Sequence, residues 1–341
     1  MHLRHNGQKR RAIEKSVISA LVCFALLIGV YHIILYHDMA ADKERYGYIA
    51  RYQAEHIITM IDCVMSRTNT LKTMIKDNDG DTSWFEEVAA DLYTAVQDET
   101  GVSLKNLAIA PGGVVADVYP REGNEALIGF DFLDTSRPGN LEAQKAYEHN
   151  KTIITNPFEL VQGGVGMGGR AAVILQNDGT DYLWGLVTVT IDFENLMKVS
   201  RMDSLHDMGV EYSLSYIDDD GNAQFIYGTG DIGNDTVKTR FDVRNLSWEL
   251  EVRPEKGWLS IGRAFLAISI ILTLSVLAGV LTYMMIQIRE SNELLRNISV
   301  TDALSGCQNR RAYEDKIKEL SPQKPDDDLV YISADLNGLK Q

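Results

Sequence analysis

Two stretches of this chain contain no Asp, Glu, Lys or Arg: residues 16–37 (SVISALVCFALLIGVYHIILYH) and residues 264–288 (AFLAISIILTLSVLAGVLTYMMIQI). Each is longer than the roughly 20 apolar residues a helix needs to cross a hydrocarbon core. Backbone polar groups in lipid must pair within their own segment, so both stretches are constrained to be helical. A block between two such helices, with shorter polar segments at either end, is the layout of a membrane receptor. The bilayer is then the first expected partner.

Charge sets the orientation. Arg4, Lys9, Arg10, Arg11 and Lys15 precede the first span against Glu14 alone, and Arg289 and Arg296 follow the second. Basic flanks stay in the cytoplasm, so both termini are expected inside and residues 38–258 outside a bacterial inner membrane. A cleaved signal peptide fits the first stretch poorly. The apolar run exceeds the usual ~7–15-residue core, and no A-x-A site follows it.

The formal net charge of −15 is unevenly spread: residues 37–258 hold 37 acidic and 19 basic side chains, the remainder 11 and 14. An acidic exterior disfavours nucleic acid and anionic lipid surfaces as partners. Cys23, Cys63 and Cys307 fall in a span, outside and inside respectively, so no intrachain disulfide is expected.

The exterior begins with a long helix. From Asp38 to Lys76 there is no Pro and one Gly, and apolar residues recur at helical spacing through Ile57, Ile61, Val64, Leu71 and Met74. Its apolar stripe needs cover from the following domain or from a second subunit, so a homodimer is expected. DNDGD at 77–81 ends it, and Ser83 is placed as N-cap of a helix over 83–99. Strands are expected at 104–110, 113–119, 152–155, 171–176 and 183–191, with a helix at 141–148. Asp192 is placed as N-cap of a short helix. A second unit carries strands near 211–217, 223–228, 238–243 and 247–253. The fold class is α+β with antiparallel sheets.

GGVGMGG at 163–169 lacks the Lys-Ser/Thr of a phosphate-binding loop and is read as a glycine-rich loop between strands. Asp218, Asp219 and Asp220 before Gly221 lack the spacing of a calcium loop and are read as a turn. No catalytic or metal-binding set emerges outside the membrane. The exterior is read as a binding module.

Four segments carry a resemblance: YPREGNEALIGFD (119–131), NPFELVQGGVGMGGRAAVIL (156–175), WGLVTVTIDFENL (184–196) and WELEVRPEKGW (248–258). Their order, spacing and position between two spans resemble a CHASE domain. The resemblance implies a stalk helix carrying tandem PAS-like units, with a small-molecule ligand sensed in the membrane-distal one. Asp131, Arg137, Gln162, Arg170 and Thr188, in or beside these segments, are the candidate ligand-sensing residues.

Behind the second span, Leu294, Leu295, Ile298 and Val300 continue a helix through a linker over 289–300. TDALSGCQNRRAYEDKI (301–317) then precedes the strand-like LVYISA (329–334) and ADLNGLK (334–340). DALSGCQNRR and ADLNGLK resemble two motifs of GGDEF domains, the diguanylate cyclases. Ser305 replaces the usual Thr and Cys307 the usual Leu. The resemblance implies that Asp335 binds Mg²⁺ with the Leu336 carbonyl nearby, and that Lys340 approaches the triphosphate of GTP. It covers about 40 residues of a domain that runs to roughly 160–170. The loop that names the family is absent, so this stretch is expected to be an inactive fragment of a cyclase making cyclic di-GMP.

The resulting division is a cytoplasmic 1–15, a span at 16–37, the sensor at 38–258, a second span within 259–288, the linker, and a partial output domain at 301–341. A receptor with a degenerate GGDEF domain, or one with a further phosphodiesterase domain, shares every residue read so far. A histidine kinase does not. The seven His residues are 2, 5, 32, 37, 56, 149 and 206, and none follows the second span.

Overall fold

The computed structural model describes residues 2–137, 140–302 and 305–320. The chain divides into two bodies, residues 35–260 and residues 1–34 with 261–341, each described by itself. The strand-like segment 329–334 lies outside the described residues, as do Asp335, Leu336 and Lys340.

In the terminal body, the N-terminal part of helix α1 (His2–Asp77) packs on helix α6 (Ile261–Val300). Both helices are long and apolar enough to cross a membrane. Apolar side chains such as Leu21, Leu26 and Phe265 point away from the pair and stay exposed. Small residues let the backbones approach, as in membrane helix pairs generally. A Cβ at Gly279 would stand 3.2 Å from both Ala20 Cβ and the Ser16 carbonyl. The Thr282 hydroxyl donates to the Ser19 hydroxyl at 2.9 Å. Beyond α6, the Asp302 carboxylate accepts from the Ser305 N–H at 2.9 Å. Asn309 caps α7 (Arg310–Leu320) through the Ala312 N–H at 3.0 Å.

In the other body, α1 turns its apolar stripe inward. Ile57, Ile61, Val64, Met65, Leu71 and Ile75 are fully buried. The helix ends where Gly80, at φ 86°, donates its N–H to the Ile75 carbonyl at 2.8 Å. A side chain is excluded there, since a Cβ would lie 2.7 Å from Trp184 Nε1. Helix α2 runs over Phe85–Thr100, and Ser83 does not cap it. The Ser83 hydroxyl donates instead to Asp81 at 2.6 Å, because the preceding turn offers it a carboxylate.

The first sheet is antiparallel throughout, in the order β2-β1-β6-β5-β3 with β4 also on β5. It comprises β1 (Leu104–Pro111), β2 (Asp117–Tyr119), β3 (Ile153–Ile154), β4 (Phe158–Glu159), β5 (Val165–Asn177) and β6 (Thr180–Asp192). The expected glycine-rich loop at 163–169 is a correction. Only Gly163 and Gly164 turn, and 165–169 form the first half of β5. Glycine carries no strand propensity, but here it suits a close approach, since a Cβ at Gly169 would fall 2.3 Å from Met65 Sδ.

Helix α3 (Leu141–His149) precedes β3. Asp192 caps α4 (Phe193–Val199) through the Asn195 N–H at 3.1 Å. After α5 (Ser204–Asp207), the second sheet runs β8-β7-β10-β9. Its strands are β7 (Val210–Ile217), β8 (Ala223–Gly228), β9 (Val237–Val243) and β10 (Leu246–Pro254). One core joins α1, α2, α4, one face of the first sheet and the second sheet, with Trp248 fully buried in it.

Candidate functional site

Strand alternation gives the first sheet two unlike faces. Toward α1 it presents Leu107, Ile109, Met167, Val173, Val187 and Val189. The opposite face carries Ala108, Ala110, Ala172 and Leu186 against the segment 113–149. On this second face the three central strands also place polar residues side by side. Thr188 pairs with Ala108 and Arg170, and Thr190 with Asn106 and Gly168. Two adjacent rungs of one sheet thus gather Arg170, Thr188, Thr190 and Asn106.

These four line a cavity of about 270 Å³. Leu127, Phe130, Phe132 and Phe158 give it apolar walls, and Arg137, Glu159 and Gln162 contribute further polar groups. The volume lies near the lower end of the ~300–1,000 Å³ common for small-molecule sites, and the mix of apolar walls with a few converging polar groups is typical of them.

Hydrogen bonding fixes how the amides face. Asn124 Nδ2 donates to the Lys105 carbonyl at 3.1 Å and to the Pro120 carbonyl at 2.9 Å. Its oxygen must therefore accept, and it does so from Asn106 Nδ2 and Gln162 Nε2, each at 3.2 Å. Asn106 and Gln162 are left with their oxygens free, and both atoms are buried without a partner among the described residues. Arg170 Nε is the third such atom. Buried polar atoms rarely stay unsatisfied, so three on one cavity need an explanation.

Arg170 is only 4% exposed. Its Nη1 donates to Asn140 Oδ1 at 2.8 Å, and its guanidinium lies 4.5 Å from the Phe132 ring centre. Among the described residues no carboxylate makes an ion pair with it. Burial pulls its pKa down to about 10, and the distant charge of Glu142 only partly offsets that. It stays cationic at neutral pH. Asn140 is itself fully buried, and its Nδ2 donates to the Asp131 and Asp134 carbonyls, both at 2.9 Å. One side chain thus ties the loop to the arginine.

Of the five residues singled out in the sequence, Arg137, Gln162, Arg170 and Thr188 come together on this cavity. Arg137 sits over the Phe130 ring at 4.6 Å and donates to Asp134 at 3.1 Å. The Ser136 hydroxyl and N–H, then Arg137, hold the exposed Asp134 carboxyl below its ordinary pKa. Asp131 is not on the lining. Its carboxylate accepts from the Leu133 N–H at 2.8 Å in a local turn. Asn106, Thr190, Asn124 and the phenylalanines were not singled out. Asn106 was findable, because alternation in LKNLAIA sets it on the side opposite Leu107 and Ile109. Asn124 and Asn140 lie in irregular chain and carry no periodic signal.

No group of three or more metal-ligating side chains occurs among the described residues. Residues 83–227, which hold the cavity, match the family model described as CHASE domain. No curated protein matches the sequence. A solved structure described as an extracellular ligand binding receptor from Desulfohalobium retbaense DSM5692 is 15% identical, with a TM-score of 0.44. The match covers 61% of this chain and 40% of that one.

Proposed function

We propose that this chain is a transmembrane receptor whose CHASE domain binds a small molecule in the cavity on the first sheet. Residues 83–227 match the CHASE domain model, and the sensory role is inferred from that match. The observation that carries the reading is the cavity itself: apolar walls, with three unsatisfied buried polar atoms on Arg170, Asn106 and Gln162. Such a surface is completed by a ligand that supplies the missing hydrogen bonds.

The proposal extends to the output. Residues 16–37 and 264–288 cross the bacterial inner membrane, with both termini inside. The segment from residue 301 opens a diguanylate cyclase domain that converts two GTP into cyclic di-GMP and pyrophosphate. Support comes from DALSGCQNRR and ADLNGLK in order behind a span. In this reading Asp335 and the Leu336 carbonyl hold Mg²⁺, which would supply charge stabilisation at the phosphates, and Lys340 meets the triphosphate. Activity is proposed for a product that carries the whole domain, acting as a homodimer with one GTP in each domain.

Membranes containing that product are assayed for cyclic di-GMP from GTP and Mg²⁺, beside the Asp335→Ala protein. Formation lost in the variant is the expected result. Equal formation in both would remove Asp335 from the metal site. None in either, with folding intact, would leave a receptor without cyclase activity.

A further inference from the structure

The three unsatisfied atoms differ in kind, and the difference specifies a ligand. Arg170 Nε is a cationic donor, buried without an ion-paired carboxylate among the described residues. A buried charge in that state is costly, and an anion from outside the protein relieves it. Asn106 Oδ1 and Gln162 Oε1 are acceptors only, since Asn124 consumes an N–H from each. An anion cannot satisfy them, for they repel its oxygens and need N–H donors.

Arginine binds carboxylate through charge-assisted hydrogen bonds. Arg170 stands on the rung next to that of Asn106, on the same sheet face. One compact molecule can therefore present a carboxylate to one and an N–H group to the other. Phe130, Phe132 and Leu127 offer its remaining carbon skeleton an apolar surface.

From this convergence we infer that the cavity takes a small carboxylate that also carries an N–H group, an amino acid being the simplest member of the class. The inference rests on the sensory reading of this cavity, and it excludes simple amines, neutral heterocycles and carboxylates without N–H as preferred ligands. Recognition is then two-sided. The carboxylate end is read by Arg170, and the nitrogen end by Asn106 with Gln162. Removing either end of the ligand leaves buried protein atoms unpaired, at about 1–3 kcal/mol, or roughly 10- to 100-fold in affinity.

The experiment measures thermal stabilisation and calorimetric affinity of the full chain in lipid nanodiscs. The probes are the twenty L-amino acids, with the deaminated carboxylate and the decarboxylated amine of each responder, and adenine as a neutral heterocycle. The expected result is stabilisation by one or more amino acids, with both truncated forms at least about tenfold weaker. Asn106→Leu should weaken the amino acid and leave its deaminated carboxylate unchanged. Arg170→Lys, which keeps the charge and loses Nε, should weaken both; it stands in for Arg170→Met should that variant fail to fold.

Binding of an amine or of adenine in preference, abolished by Asn106→Leu, would overturn the ligand class while leaving the sensory cavity standing. Stabilisation by amino acids that ignores both substitutions would place binding elsewhere and overturn both readings. No response to any amino acid, with wild-type protein folded, would overturn the ligand class.

Discussion

Asn140 shows how much one short side chain can hold. It has no exposure, and its side chain makes three hydrogen bonds, to the Arg170 guanidinium and the carbonyls of Asp131 and Asp134. Alanine there leaves two backbone acceptors and part of a cation without partners. We expect Asn140→Ala to cost about 1–3 kcal/mol in denaturant unfolding. Leucine fills the volume and leaves the same groups unpaired, so it should be no better. Aspartate should recover the contact with Arg170 while losing both carbonyl contacts. A null effect for alanine in chemical melts would mean that water replaces the amide and that the clamp is not structural.

Among the elements, α5 is tied to the second sheet through ionisable groups. The hydroxyls of Tyr212 on β7 and Tyr227 on β8 both donate to one Asp203 oxygen, at 3.2 and 2.9 Å. Burial first, and then the Asp203 charge and hydrogen bond, raise both phenols. Tyr227 is pushed up to about 12, and Tyr212 is also well above its ordinary value. In the unfolded chain both ionise near pH ~10. A raised folded pKa means stability that is complete below that value and is lost as pH rises toward about 12. The wild-type melting temperature should fall more steeply between those limits than that of a Tyr212→Phe/Tyr227→Phe protein. Parallel curves would show that the pair is not linked to folding.

The same elements mark what the sequence disclosed. Runs such as LWGLVTVTI announce a strand by β-branched residues, and Asp192 before Phe-Glu-Asn-Leu announces a cap. The first half of β5, residues 165–169, holds three glycines in five, which no propensity reads as strand, yet at Gly169 close contact with α1 demands one. Likewise Arg170 and Thr188 stood out as polar residues in apolar strands. Asn140, which holds Arg170, and Asn124, which holds Asn106 and Gln162, come from loop positions whose place is settled only when the chain folds back.

For the whole molecule, the decisive relation is between chain ends far apart in sequence. Ser19 and Thr282 meet at 2.9 Å, so the first and second apolar helices are paired within one copy. The Ser19→Cys/Thr282→Cys protein, lacking Cys23, Cys63 and Cys307, should form an intrachain disulfide in membranes under mild oxidation. Leu26→Cys/Leu277→Cys, placed at exposed positions, should not. Cross-linked dimers from the first protein would instead assign the contact to neighbouring copies.

Strand β5 is a wall one peptide thick. Arg170 reaches into the cavity, and the residue before it, Gly169, abuts Met65 and Thr68 on α1. Parity therefore sorts the strand's residues into two vocabularies. Even-numbered Gly168 and Arg170 address what lies in the chamber, and odd-numbered Gly169 addresses the helix behind it. Evolution can retune the chemical taste of such a receptor by editing one parity, leaving the helix contact on the other untouched.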